Sequence, residues 1–427
     1  LKPNSDTGCQ VILEGHSVGN MDVARYIGYK PQAFEKARDC YDSLADEFDA
    51  VVLEGAGSPA EINLKHHDIV NMQMARYAEA PVLLVGDIDR GGLFASFVGT
   101  MELLAPWERR LIRGFVINRF RGDASLLSPA IDHTYRHTGK PTLGVVPYVR
   151  DLGLPEEDSV EFKSGRREEA ETEEAASEER AVDIAVVDLP HISNFTDFDA
   201  LEIEPDVRVR VVRLADQLGT PDAVILPGSE NVLGDLEYIK QRGFAARLND
   251  LAASGETQIV GICGGLQMLG RRIVDPCHVD SHNGAAQGLG LLGVTTALAA
   301  QKKLARSRAV HALSGLEVTG YEIHHGQTEA HGEQEAVPLF SPRADGTDAT
   351  ALGMANRQGN VWGTYLHGVF DADAFRRWFL DRLRVRRGLS PLGGVSATYD
   401  IEPALDRLAK IVRESLDINE IYRWMGL

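Results

Sequence analysis

Cys263 stands in Gln258-Ile259-Val260-Gly261-Ile262-Cys263-Gly264-Gly265-Leu266-Gln267-Met268-Leu269-Gly270, where an apolar run passes through glycines into a helical pattern. A side chain on so tight a strand-to-helix turn projects into solvent at the carboxyl edge of a sheet, beside the N–H groups and positive end of the next helix. Those surroundings lower a thiol's pKa and build an oxyanion hole. Cys263 therefore reads as a nucleophile, with Gly264 supplying one oxyanion donor. A lone cysteine is more often a core residue, but a packed core thiol has no need of flanking glycines. The nucleophile also needs a base, and Asn360-Val361-Trp362-Gly363-Thr364-Tyr365-Leu366-His367-Gly368-Val369-Phe370 offers His367 just after an apolar segment. His367 can take the thiol proton and later return one to a leaving amine. Leu226-Pro227-Gly228-Ser229-Glu230-Asn231 is a turn after a further apolar run, where the backbone around Gly228 can complete the oxyanion hole. Without the cysteine it would read as an ordinary Pro-Gly turn.

These side chains require a sheet to hold them. Val182–Val187, Ala223–Leu226, Gln258–Cys263 and Val361–His367 are strand candidates in the second half of the chain. In the first half the candidates are Val11–Glu14, Ala50–Glu54, Pro81–Asp87, Gly114–Asn118 and Thr142–Pro147. All are continuously apolar, as strands covered on both faces should be, and helical stretches alternate with them. The fold class expected is α/β with parallel sheets. Residues 163–181 are glutamate-rich and poor in apolar side chains, and read as a solvated interdomain linker. The expected division is a first domain over 1–162, a second over 182–375 and a C-terminal helical segment over 376–427. Phe379, Leu383, Leu405, Leu408, Ile411, Val412 and Leu416 are the packing positions expected in that last segment.

Three expected strand ends in the first half, two acidic and one an amide, carry further chemistry. Val51-Val52-Leu53-Glu54-Gly55-Ala56-Gly57 places Glu54 before glycines, the arrangement of a carboxylate holding Mg²⁺ near nucleotide phosphates. Gly86-Asp87-Ile88-Asp89-Arg90-Gly91-Gly92 repeats the pattern with Asp87, Asp89 and an arginine, and Asn118 ends the run Phe115-Val116-Ile117-Asn118-Arg119-Phe120-Arg121-Gly122-Asp123 where a nucleotide base could be read.

Composition sets the outer limits. The chain has 427 residues, room for two or three cores, and a formal charge of -19 that argues against broad binding to nucleic acid or anionic membrane. Apolar runs of membrane-spanning length, about eighteen residues, do not occur, and the four cysteines lack metal or disulfide spacing. A cytoplasmic enzyme is the expectation.

In order, LPGSEN, GICGGLQMLG and GTYLHGVF resemble the class I glutamine amidotransferase domain. The resemblance implies that Cys263 forms a thioester with glutamine, that His367 is the base, and that ammonia is released for a partner site. That family commonly has a glutamate two residues after the histidine, and Val369 stands there instead. Either another group holds His367 or the pair works as a dyad, the form known in a corrinoid-acting subgroup. The first-half words EGAGSPAEINL, DIDRGGLFAS and NRFRGD resemble a dethiobiotin synthetase-like ATP-dependent ligase domain. Together with LPHISNFTDFDAL they are similar to the cobyric acid synthase family.

Membership would imply ATP- and Mg²⁺-dependent amidation of the b, d, e and g carboxylates of adenosylcobyrinic acid a,c-diamide, with glutamine as nitrogen donor. Glu54 with Asp87 or Asp89 would hold the metal, and Asn118 would contact the base. The synthase that amidates the a and c carboxylates of the same ring is the nearest alternative, and a noncatalytic corrinoid-binding protein is another. The family's phosphate loop, GTxSDxGKS, is not found before Val11, so on the order of a hundred residues are expected to precede this chain in the complete enzyme. ATP use by the chain as written is then expected to be impaired. The phrase Tyr321-Glu322-Ile323-His324-His325-Gly326 also matches the family and is assigned to structure or an interdomain surface, because adjacent histidines on an extended segment face opposite ways. Oligomeric state, the order of amidations and the corrinoid contacts leave no readable spacing.

Overall fold

The computed structural model describes residues 1–5, 8–149, 152–154, 182–280, 284–331, 335–342 and 349–427. The acidic run 163–181 lies outside the described residues. The chain divides into two compact units, one formed by Leu1–Asn20 with Pro155–Tyr399, the other by Met21–Leu154 with Asp400–Leu427. This division departs from the linear one at both ends of the chain. The opening residues, expected in the first domain, pack with the cysteine-bearing unit, and 400–427 pack with the other. Among the described residues no helix is long and apolar enough to cross a membrane.

The chain opens with an antiparallel meander of β1 (Lys2–Ser5), β2 (Gly8–Leu13) and β3 (His16–Asp22). Val11–Glu14 therefore contributes to a meander and not to the parallel sheet expected. The short turn through Glu14 and Gly15, with φ of 50° and 78°, favours antiparallel return.

In the Met21–Leu154 unit, β4 (Val82–Asp87), β5 (Ile112–Phe120) and β6 (Thr142–Pro147) form a parallel sheet in the order β4-β5-β6, as their apolar runs predict. The helix Leu93–Leu103 covers one face, with Phe97 stacked on Phe115 at 4.6 Å between ring centroids. The expected strand Ala50–Glu54 does not form. The sheet stops at β4, Val52 is 90% exposed, and an apolar run without a ladder partner is not a strand. At the far edge the C-terminal helices Glu402–Ser415 and Ile418–Met425 flank a segment that docks on β6, where Asp417 N–H donates to Leu143 O (2.9 Å) and Leu416 bridges Gly144. Phe379 and Leu383, in the helix Asp373–Arg386 of the other unit, are buried as expected, whereas Leu405 is 40% exposed.

The larger unit continues with β7 (Val182–Val187), β8 (Ile192–Ser193), β9 (Val207–Val212), β10 (Ala223–Leu226), β11 (Gly228–Ser229) and β12 (Gln258–Ile262). It ends with β13 (Arg272–Val274), β14 (Ala285–Gln287), β15 (Val294–His311), β16 (Glu317–Ala330), β17 (Val337–Pro338), β18 (Phe340–Ser341), β19 (Gly353–Ala355) and β20 (Val361–Thr364). Its main sheet runs β17-β19-β20-β12-β10-β7-β9, parallel from β20 to β9. Ile184, Val186, Ile225, Val260 and Ile262 are fully buried in it, so the unbroken apolar runs reflect a sheet covered on both faces. The long β15–β16 hairpin, absent from the sequence reading, belongs to a second sheet with β13, β14 and β18. The main sheet's order explains the site: β12 and β20 are neighbours, and Ile262 pairs with Thr364. Whatever follows each strand meets at one sheet edge.

Candidate active site

Cys263 follows β12 directly, with φ 50° and ψ -103°, in the region a non-glycine residue enters only when its surroundings force it. Its N–H donates to Thr364 O at 2.7 Å, which ties the turn to β20. The glycine after it is required by close approach, because a Cβ on Gly264 would lie 2.9 Å from Ser229 N. Cys263 is buried, 6% exposed, in the wall of a cavity and not in the open solvent expected at a sheet edge. Its Sγ lies 3.8 Å from Ile323 O of β16. The hairpin missing from the sequence reading is what roofs the thiol.

His367 follows β20 and is fully buried. Its Nδ1 lies 2.8 Å from Asp197 Oδ2, and the Gly368 N–H donates to Asp197 Oδ1, also at 2.8 Å. Asp197, on the short helical turn Phe195–Phe198, is the group that holds the histidine, so of the two alternatives left open by Val369 the structure has another group in the glutamate's place. The signal was present in LPHISNFTDFDAL, but nothing in that phrase marks a partner 170 residues away. Nε2 is buried without a hydrogen bond. Burial disfavours charge on the ring, but the charge and hydrogen bond of Asp197, with the Cys263 sulfur, outweigh it and lift the pKa to about 10. The Tyr321 ring stacks on the imidazole at 5.2 Å between centroids, and the two residues exchange backbone hydrogen bonds.

A linkage between stability and pH follows. The folded-state pKa of His367 lies above its unfolded value of about 6.5. Its contribution to stability is therefore complete below that value and is lost as pH rises through about 10. Tm is expected to fall over this alkaline window, and to fall less in Asp197→Asn; melting the two proteins across the window checks it.

The Pro-Gly-Ser turn lies against the same site. Glu230 N–H donates to His191 O at 3.0 Å, and Ser229–Ile192 and Gly228–Ser193 are the next pairs of the β8–β11 ladder. Bonded and unbonded pairs alternate in such a ladder, so the Ser229 N–H turns away from β8 toward Gly264. A Cβ on Gly228 would sit 3.2 Å from His367 Cε1, so its bare Cα leaves room for the imidazole. Ser229 Oγ donates to Asp235 Oδ2 (2.6 Å), and His191 Nδ1 lies 2.8 Å from Asp235 Oδ1, which pins the turn. Burial raises the pKa of Asp235, and the hydrogen bonds from Ser229 and His191 oppose that shift.

The GYEIHH phrase belongs to this cavity and not to a surface. His324 and His325 line it with Cys263, Gln267, Ser193, Ser229 and others. His324 stacks on Tyr365 at 3.7 Å and lies 3.1 Å from Glu322 Oε2, whereas His325 turns to Ala299 O at 2.9 Å. Burial would raise the pKa of Glu322, but hydrogen bonds from His324, Lys303 and Ser307 hold it at about 2.

In the other unit, Asp87 and Asn118 pair in register at the carboxyl ends of β4 and β5. Asn118 Oδ1 accepts from Arg119 N–H at 2.9 Å. Arg90 and Arg119 each lie 3.5 Å from Asp87, and Arg121 lies 3.3 Å from Asp89 and 3.7 Å from the Tyr148 ring centroid. Arg119, Arg121 and Tyr148 were not assigned from sequence, whereas the arginine of the Asp87–Gly92 phrase, Arg90, was. Glu54 lies in the unpaired segment after Asp49, and among the described residues no three His, Cys, Asp or Glu side chains are grouped to hold a metal. Asp87 and Asp89 thus lie beside arginines, and Glu54 lies outside any strand.

Residues 183–375 match the CobB/CobQ-like glutamine amidotransferase domain, and residues 20–156 match an AAA domain. The chain is 56% identical to a cobyric acid synthase of Nitratidesulfovibrio vulgaris, over its whole length and 84% of that protein. It is 42% identical to a cobyric acid synthase of Desulforamulus reducens, again over its whole length and 83% of the relative. An adenosylcobalamin biosynthesis bifunctional protein of Leptospira interrogans is 49% identical, and the chain spans 48% of it. With a Cys-His-Asp site at one sheet edge and this similarity along its full length, the chain belongs to the cobyric acid synthase family.

Proposed function

We propose that this protein hydrolyses glutamine at Cys263 and delivers the ammonia to an ATP-dependent amidation of the b, d, e and g carboxylates of adenosylcobyrinic acid a,c-diamide. The observation that carries the glutaminase half is the meeting of Cys263, His367 and Asp197, three residues far apart in sequence, with Cys263 in the wall of a cavity. The corrinoid half is supported by relatives named cobyric acid synthase.

In this reading Cys263 Sγ attacks the side-chain amide carbon of glutamine. The N–H groups of Ser229 and Gly264 receive the oxyanion. His367, held by Asp197, gives the Nε2 proton to the departing nitrogen, and ammonia leaves as the thioester forms. The neutral imidazole then takes a proton from water, which attacks the thioester and releases glutamate and the sulfur. ATP, when bound, supplies the phosphoryl group that turns a corrinoid carboxylate into an electrophile for ammonia. Asp87 and Asn118, at adjacent strand ends with Arg119 and Arg121, are the groups proposed to face the nucleotide. No step is assigned to a metal.

The test is to incubate the protein with glutamine, ATP, Mg²⁺ and adenosylcobyrinic acid a,c-diamide. Glutamate release and stepwise carboxylate-to-amide conversion are followed by mass spectrometry. Glutamate release without corrinoid conversion would leave the glutaminase reading standing and remove the ligase one.

A further inference from the structure

The cavity beside Cys263 has a second polar cluster that the thiol chemistry does not use. Gln10, Glu230, Lys302 and His325 all line it, and their hydrogen bonds form one chain. His325 Nδ1 lies 2.9 Å from Ala299 O, an acceptor only, so the ring proton sits there and Nε2 accepts from Gln10 Nε2 at 3.3 Å. Burial lowers the pKa of His325, in keeping with a neutral ring. Gln10 Oε1 then accepts from Lys302 Nζ (3.3 Å), which also lies 3.4 Å from Glu230 Oε2. The regular β15–β16 register breaks between Leu298 and Lys303, and such an irregularity re-aims a side chain. It turns the Lys302 side chain, 9% exposed, into the cavity, and His325 fixes the irregular segment through Ala299. Gln10 comes from β2, outside both segments that match domain models.

The result is a largely buried cation and a partly buried anion, 3.4 Å apart, in the same cavity as a nucleophilic sulfur. Charges drawn out of water are stabilised by opposite charge, and a zwitterion supplies one for each. We propose that Lys302 and Glu230 are the head-group clamp of this cavity, Lys302 taking the α-carboxylate and Glu230 the α-ammonium of an amino-acid amide, with Gln10 and His325 holding Lys302 in position. The proposal rests on the glutaminase reading and adds the basis of its substrate selectivity. A zwitterion replaces the Lys302–Glu230 contact with two contacts of the same kind. An amide lacking either charge leaves one side of the pair without its exchange partner.

Steady-state glutamate release tests it with the full chain. Lys302→Met is expected to raise KM for glutamine by roughly 10- to 100-fold, as loss of a charged hydrogen bond does, with little change in kcat. Lys302→Arg should restore most of the affinity. The preference of the wild type for glutamine over glutaminamide, which lacks the carboxylate, should collapse in Lys302→Met. The preference over glutaramate, which lacks the amine, should collapse in Glu230→Gln. Alkylation of Cys263 by neutral iodoacetamide, read by peptide mass spectrometry, reports whether each variant keeps its folded cavity. Should Lys302→Met fail that check, Lys302→Arg and Glu230→Gln carry the test. Variants that keep wild-type KM and wild-type discrimination would overturn the clamp. A wild type that releases no glutamate would instead overturn the glutaminase reading beneath it.

Discussion

Cys263→Ala is expected to lower glutamine hydrolysis by roughly 10³-fold or more, because no other group at the site can form the thioester. The remaining cysteines do not substitute for it: Cys40 and Cys277 are exposed and Cys9 lies in β2. The substitution removes one sulfur from a turn whose backbone is held by Thr364 and by the packing around Gly264, so the fold should survive it. Corrinoid amidation by Cys263→Ala should therefore fail with glutamine and return when ammonium is supplied at high concentration. Comparing the two nitrogen sources in one assay checks the assignment. Equal loss with both would mean that the change damages more than ammonia production.

Asp197→Asn should reduce kcat/KM for glutamine by roughly 10²- to 10⁴-fold, the range associated with loss of a working acid-base group. The carboxylate accepts two hydrogen bonds, one per oxygen, from His367 Nδ1 and the Gly368 N–H. An asparagine has one acceptor oxygen for those two donors, and its amide nitrogen would face one of them. The variant also removes the charge that raises the pKa of His367. Its imidazole should lose a proton at lower pH, so the alkaline limb of the pH–rate profile should move toward neutrality. A rate within about threefold of wild type, with an unmoved limb, would restore the dyad reading; the threshold corresponds to roughly half of one hydrogen bond.

Much of the arrangement was legible in the chain. Mainly apolar runs without polar alternation at Val182–Val187, Ala223–Leu226 and Gln258–Ile262 mark strands covered on both faces, and all three lie in the parallel sheet. Ala50–Glu54 has the same composition and forms no strand, since composition records a preference and pairing needs a neighbour. The β15–β16 hairpin went unseen because Arg306, Arg308, Glu317 and Glu322 interrupt its apolar pattern, and its strands bury little beyond one face.

By itself the sequence determined that Cys263 follows a buried strand at a glycine-lined turn and that His367 follows another, because both depend on local backbone geometry. Which group would hold the histidine and which side chains would line the cavity were decided only by tertiary structure. Asp197 reaches His367, and Gln10 reaches His325 and Lys302, through contacts between residues far apart along the chain. Such contacts leave no spacing to read, because strand order and register set them, and those emerge only when the whole sheet is assembled.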